Sequence, residues 1–519
     1  MDVAAAAGTP RPSSIPSPAP SRAWDVRLSR RDVLVVGGLA ALPLLAPWGQ
    51  PRASGAVTLD LRDFGAVGDG VADDTAAVQR LMDATATQGA IGVVPAGTYR
   101  CTGSLNLRTG VQLQLDAGSK LLKDWAVAPG LAGAFLRNAD FAARANGVRI
   151  TGPGTIGARD HSRTGVILAV YGNDVLLRDL TIDTYAGGQA VMFAGDRGRM
   201  ERVRILNSAR TTGTGGIRVI GGTGFLATAC HVESGDDALQ FVPIGDPGAL
   251  LYDLPISGGS FVGCTGASTT CRFMVALLEW TGGDTAMRNA AITDCSFRDC
   301  RGKGANRGIV VKNSHGTKAI ARLSFTDCTV DMAGAADAQA QEIRVQTEPG
   351  RGAITDLTFT RTSITNPVNS VLRTSGPGTK GVTFDQCTFA APSGATDVVA
   401  VVDGGATVRM RRSSLAGTRG KRVLVAGPTA PVSSLSVEEC RFTDIGNDRW
   451  GVDLLAAPGA RVVTSTFTQA AGATTARAVR VSAACSGVVI EGNDLTGLTA
   501  TPKITDKGVR TVVRSNRGA

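Results

Sequence analysis

Aromatic residues make up only 5% of these 519 residues, and histidine occurs three times, as His161, His231 and His315. With so few rings, no stretch interleaves Lys and Arg with aromatics, so nucleic acid is not an expected partner despite a net charge of +10. No Cys/His spacing has the form of a zinc site, although there are ten cysteines. The apolar run at 35–46 is too short for a stable membrane span. What the chain has in quantity is glycine, 66 residues of it. Glycine with few aromatics fits short strands and tight turns better than a helical bundle. Apolar residues reach 43%, enough for a continuous core and too many for a disordered chain.

The first 21 residues are rich in Pro, Ser and Ala and read as a flexible leader. Ser29-Arg30-Arg31-Asp32-Val33-Leu34, the apolar run and the small residues Ser54-Gly55-Ala56 then follow in the order of a bacterial Tat export signal. Residues 1–56 are therefore expected to be removed, leaving a periplasmic or extracellular protein without a membrane span. Their loss takes away six Arg and three Asp and lowers the net charge from +10 to +7. A basic exported chain suits an anionic partner such as an acidic polysaccharide.

The remainder, 57–519, reads as one domain whose residues 57–100 form a cap. Asp73, Asp74 or Thr75 can N-cap a helix whose apolar positions are Val78, Leu81 and Met82, ending near Gly89. A strand at 91–94 and the turn Pro95-Ala96-Gly97-Thr98-Tyr99 follow. Beyond the cap one pattern recurs: apolar, two residues, a small residue, one residue, apolar. Phe325-Thr-Asp-Cys328-Thr-Val330, Ile292-Thr-Asp-Cys295-Ser-Phe297 and Phe384-Asp-Gln-Cys387-Thr-Phe389 show it clearly. Successive anchors lie 23 to 34 residues apart, a solenoid period. Alternating inward residues, a corner at the two-residue gap and no intervening helices predict an all-β fold, a right-handed parallel β-helix with a short N-terminal capping helix. Cys230, Cys264, Cys295 and Cys328 are expected to stack inward in one column, as small apolar residues with mostly free thiols.

The cap sequence, the turn at 94–99 and the solenoid together resemble the pectate-lyase-like β-helix superfamily of polygalacturonases, rhamnogalacturonases, lyases and sugar epimerases. Ser234-Gly235-Asp236-Asp237-Ala238-Leu239 is similar to the paired-aspartate motif of its polygalacturonase-type glycosidases. That likeness implies one aspartate as general acid. Where those enzymes carry Asn-Thr-Asp-Gly one turn earlier, this chain has Gly213-Thr214-Gly215-Gly216, so a base carboxylate is missing. Thr270-Cys271-Arg272-Phe273 stands in place of a Gly-His-Gly, and Arg307-Gly-Ile-Val-Val-Lys312 is a loose form of an Arg-Ile-Lys element.

Independently of the likeness, the longest repeats run consecutively from Cys230 to Thr362, and extra residues in a solenoid turn leave it as loops that can wall a cleft. Tyr252 and Trp280 fall in those loops, with Arg272, Glu279, Arg307, Lys312, Glu342 and Arg344 on neighbouring strands. Rings to stack on sugars, cations for uronate carboxylates and carboxylates for proton transfer suit a polysaccharide substrate. The leading expectation is an exported enzyme cleaving glycosidic bonds of a uronate-containing glycan by hydrolysis. Asp236 and Asp237 are its acid/base pair, and the other residues hold substrate. One alternative is a lyase working by β-elimination, with Lys312 or an arginine as base. Another is a non-catalytic carbohydrate-binding fibre. No metal site or cofactor is expected, and Ca²⁺ enters only in the lyase alternative.

Overall fold

The computed structural model describes residues 57–126, 133–160, 165–183, 188–206, 214–243, 254–278, 290–304, 306–334, 342–367, 370–390, 398–417 and 422–519. The expected export signal, Tyr252, Glu279 and Trp280 lie outside the described residues. So does His161.

The cap forms where the sequence places it. A single α-helix, α1 (Thr75–Gln88), buries Val78, Leu81 and Met82 and ends at Gly89, whose φ of 65° is the left-handed conformation that glycine accepts without strain. Asp74 occupies the N-cap position but turns its carboxylate away, accepting from Val67 N–H at 2.7 Å and Gly68 N–H at 3.1 Å. The adjacent Asp73 serves the helix instead, accepting from Thr75 N–H at 3.0 Å. Gly68 is required: a Cβ there would stand 2.8 Å from the buried ring of Tyr99.

Beyond the cap the chain winds in right-handed coils whose strands stack in parallel on three faces. The first sheet has 17 strands and the second 16 among the described residues; the strands of the third face carry the site. Inward residues of all three meet in one continuous core. Down its axis Phe261, Phe297, Phe325, Phe359 and Phe384 stack turn upon turn, with centroids 4.7 to 5.3 Å apart. Among the described residues no helix is long and apolar enough to cross a membrane.

The corner between the first and second sheets explains the repeat pattern. The residue before each anchor turns the chain with positive φ: Arg202 (53°), Ala229 (51°), Asp299 (53°), Asp327 (56°) and Arg361 (47°). Where the anchor that follows carries a donor, it donates across the stack to a carbonyl of the preceding turn. Cys230 Sγ reaches Met200 O at 3.6 Å, Cys300 Sγ reaches Phe261 O at 3.4 Å, Thr362 Oγ1 reaches Phe325 O at 3.0 Å and Asn493 Nδ2 reaches Val462 O at 2.9 Å. A small side chain with a donor suits this buried position, so Cys, Thr, Ser and Asn interchange there, while Leu180 and Val203 fill it without one.

The expected cysteine column needs one correction. Cys295 sits at a different corner, between the short strand Ile292–Thr293 on the third face and Ser296–Arg298 in the first sheet. Cys300 takes its place, between Ser296–Arg298 and Arg301–Lys303. Two overlapping stretches, Ile292-Thr-Asp-Cys295 and Phe297-Arg-Asp-Cys300, both fit the frame, and the second forms the corner of the column. All ten thiols are free, and only Cys271 is not buried.

Candidate functional site

The site is built where the strands of the third face begin. Asp237 follows the turn after His231–Ser234 and precedes Leu239–Phe241. The turn is held by the previous coil, since Gly235 N–H and Asp236 N–H both donate to Thr214 O, at 2.9 and 3.0 Å. Ser234 Oγ closes it from within, donating to Asp236 O at 2.6 Å. The backbone that carries the two aspartates is therefore held from both sides.

Asp237 is 3% exposed. Arg272 on the next coil grips it at two points, Nε to Oδ1 at 2.7 Å and Nη2 to Oδ2 at 2.6 Å, and the backbone N–H of Arg272 adds a third contact at 3.2 Å. Burial pushes the Asp237 carboxyl up, and Arg272 pulls against it. Asp236 is half-buried and accepts from Asp237 N–H at 2.8 Å. Cys271 lies beside it, with burial and the Asp236 carboxylate pushing its thiol up to about 12, so it stays protonated at neutral pH. One acidic side chain of the pair thus faces the surface; the other is occupied.

Behind the pair lies an amide network that sequence reading missed. Gln240 is fully buried, and its Nε2 donates to Gln189 Oε1 at 2.8 Å and to Asp237 O at 2.5 Å. Its Oε1 accepts from Arg218 Nε at 2.6 Å. Gln189 enters from the preceding coil through the space left at Gly215, the position where the paired-aspartate glycosidases carry a carboxylate. Arg218 and Gln240 are aligned in one outward column with Met192, Val275 and Val310, which are buried. The only sequence signal for Gln240 was its outward place in a strand otherwise apolar.

The other expected residues fall in separate places. Arg307 pairs in register with Arg272 on the next coil. Lys312 is five residues further along that strand, about 16 Å away, and its Nζ lies 3.9 Å from Glu348. It does not share a site with Asp236. Glu342 has no exposed surface: Arg344 Nη2 holds it at 2.5 Å, Ser370 Oγ at 2.8 Å, and Arg373 Nε stands 3.7 Å away. Glu342 and Arg344 are thus partners of each other, and Glu342 offers no surface to a glycan.

Residues 59–141 match the family described as rhamnogalacturonase A/epimerase, pectate lyase-like. In the fold, a mutant tailspike protein of E. coli bacteriophage HK620, in complex with a pentasaccharide, aligns with a TM-score of 0.56 at 12% identity, covering 88% of this chain and 78% of that one. The resemblance to that family is confined to residues 59–141, and the tailspike likeness shows a shared parallel β-helix fold. The chain shares 53% identity over 45 residues with mannuronan C5-epimerase AlgE5 of Azotobacter vinelandii, 8% of this chain and 4% of that protein. Mannuronan C5-epimerase AlgE4 of the same organism is 32% identical over 128 residues, 24% of this chain and 19% of that protein. The chain therefore spans well under a quarter of these relatives' length.

The lyase alternative brings Ca²⁺ into question. Asp236, Asp237 and Cys271 place ligand atoms within 4.8 Å of one another. They do not fit that ion. Both oxygens of Asp237 are engaged by Arg272, and a protonated thiol is a poor ligand for a hard cation that takes six to eight oxygens.

Proposed function

We propose that this chain is an exported enzyme acting on an acidic polysaccharide at the outer face of its third sheet, by abstracting the proton beside a uronate carboxylate. The observation that carries this reading is the closure of Asp237 by Arg272, which leaves Asp236 as the acting carboxyl. Hydrolysis asks for two carboxyls that both exchange protons, about 5–5.5 Å or 6.5–9.5 Å apart according to stereochemistry. Proton abstraction asks for one base and for positive charge to stabilise the carboxylate as electrons move into it. Asp236 with the arginines around it meets the second demand.

In this reaction Asp236 takes the C5 proton, and the negative charge passes into the uronate carboxylate. Departure of the C4 oxygen, which takes up a proton, then leaves a C4–C5 double bond and a cleaved chain. Return of a proton to the opposite face of C5 leaves an epimer and an intact chain. The names of the related epimerases support the shared first step; for the outcome we take elimination, the alternative to the hydrolysis first expected of a polysaccharide-degrading enzyme.

The test is incubation of purified protein with oligouronates in D₂O, following ultraviolet absorbance of unsaturated products, reducing ends and deuterium at C5. Unsaturated ends support elimination, and deuterium in an uncut chain supports epimerisation. Saturated reducing ends without deuterium overturn the reading in favour of hydrolysis.

A further inference from the structure

Arg218 differs from Arg272 and Arg344 in what holds it. Arg272 is closed by Asp237, and Arg344 by Glu342. Arg218 is anchored only at Nε, by Gln240 Oε1 at 2.6 Å, and its two terminal nitrogens have no hydrogen-bond partner among the described residues. It is partly exposed, between buried Met192 on one side and the Gln240 and Val275 positions on the other.

The anchor is directional. Gln240 cannot turn its amide over, because Nε2 is committed to the acceptors Gln189 Oε1 and Asp237 O. A flipped amide would set oxygen against oxygen there and nitrogen against the guanidinium. Gln189 holds its position because Gly215 has no side chain: a Cβ there would stand 1.9 Å from Gln189 Oε1. Four residues from three coils thus fix the plane of one guanidinium while leaving its outer edge unused.

An unused guanidinium edge in sheltered surroundings is costly unless an anion reaches it. The packing around Arg218 accordingly pushes its pKa down. The planar fork matches a carboxylate at two points, which an ammonium cannot do. Asp236 and Asp237 lie close enough to act on Arg218 electrostatically.

We propose that Arg218 binds the carboxylate of the uronate unit and selects acidic over esterified or neutral glycan, with Gln240 and Gln189 as positioning residues. The assignment rests on the reading of this face as a site for acidic polysaccharide.

The test uses the full chain carrying Asp236→Asn, so that bound glycan is not consumed. Oligomannuronate, oligogalacturonate and the methyl ester of each are titrated calorimetrically. An oligouronate is expected to bind more tightly than its ester. Arg218→Gln is expected to lose tenfold or more in affinity for the acid form and nothing for the ester. Arg218→Lys should recover part of the loss, and Gln240→Leu should reproduce part of it with ester binding unchanged. Equal acid affinity in Arg218→Gln and its parent overturns the assignment and leaves the acidic-glycan reading standing. Failure of every acid form to bind better than its ester overturns that reading and the assignment with it.

Discussion

Arg272 and Asp237 form a two-point ion pair on adjacent coils, with contacts of 2.6 and 2.7 Å and side chains 19% and 4% exposed. The pair fixes which carboxyl of the aspartate motif can act, and it sets the first prediction. Removing the cation with Arg272→Met strands a buried carboxylate, which costs about 3–5 kcal/mol. Asp237→Asn keeps one carbonyl acceptor for Arg272 and leaves no buried charge on its own side chain, and is expected to cost less than half of that. Urea unfolding of the two variants checks the order. Equal, small losses would mean that the pair is not a buried one.

The second prediction concerns acid stability. Hydrogen bonds from Arg197, Arg202, Arg322, Arg361 and Arg412 hold Asp174, Asp179, Asp294, Asp327 and Asp385 below their ordinary value of 3.8. With folded-state values lower than unfolded ones, the unfolded chain takes up protons first as pH falls. The contribution is fully present above about pH 4 and is lost as pH drops through the lowered values. Most of these pairs are exposed, so each is small and weakened by salt. Thermal melts from pH 5 to pH 2 should show an acid limb that is shallower in Asp294→Asn/Asp327→Asn.

Thiol chemistry gives the third. All ten cysteines are free and nine are buried. The chain denatured without reductant should react with ten equivalents of a thiol reagent. The native chain should expose Cys271 at most, and slowly, because its thiol is held near 12. A native protein that reacts rapidly at several thiols would contradict the packing of the anchor column.

The corner ladder gives the fourth. Cys300→Ala leaves Phe261 O without the donor that reaches it at 3.4 Å, whereas Cys300→Ser keeps one. Alanine should therefore be the more destabilising, by about 1 kcal/mol. The same exchange at Cys295 leaves that column untouched, since Cys295 belongs to another corner.

Much of the fold was legible because a solenoid repeats its evidence. Each coil restated the same inward alternation, so the capping helix, the parallel strands and their stacking could be read from Val78, Leu81, Phe325 or Cys328 alone. The register slipped only where two copies of the frame overlap, at Cys295 and Cys300. The site was less legible because its members occur once and meet across coils. Asp236 and Asp237 announce themselves as neighbours in sequence. Nothing local says that Asp237 will be claimed by Arg272, 35 residues on, or that Gln189 will fill the space at Gly215. Charged residues such as Glu342 also look alike in sequence whether they meet a substrate or each other.

The central claim is that one carboxyl, Asp236, takes the uronate C5 proton. Its most direct measurement is deuterium at C5 and ultraviolet-absorbing product, scored for the parent and for Asp236→Asn in D₂O on the same oligouronate. The account predicts one or both signals in the parent and at least a hundredfold loss in Asp236→Asn, about 2.7 kcal/mol of transition-state stabilisation, with an unchanged melting temperature. Saturated products from the parent, or an Asp236→Asn variant that works at the parent's rate, would contradict it.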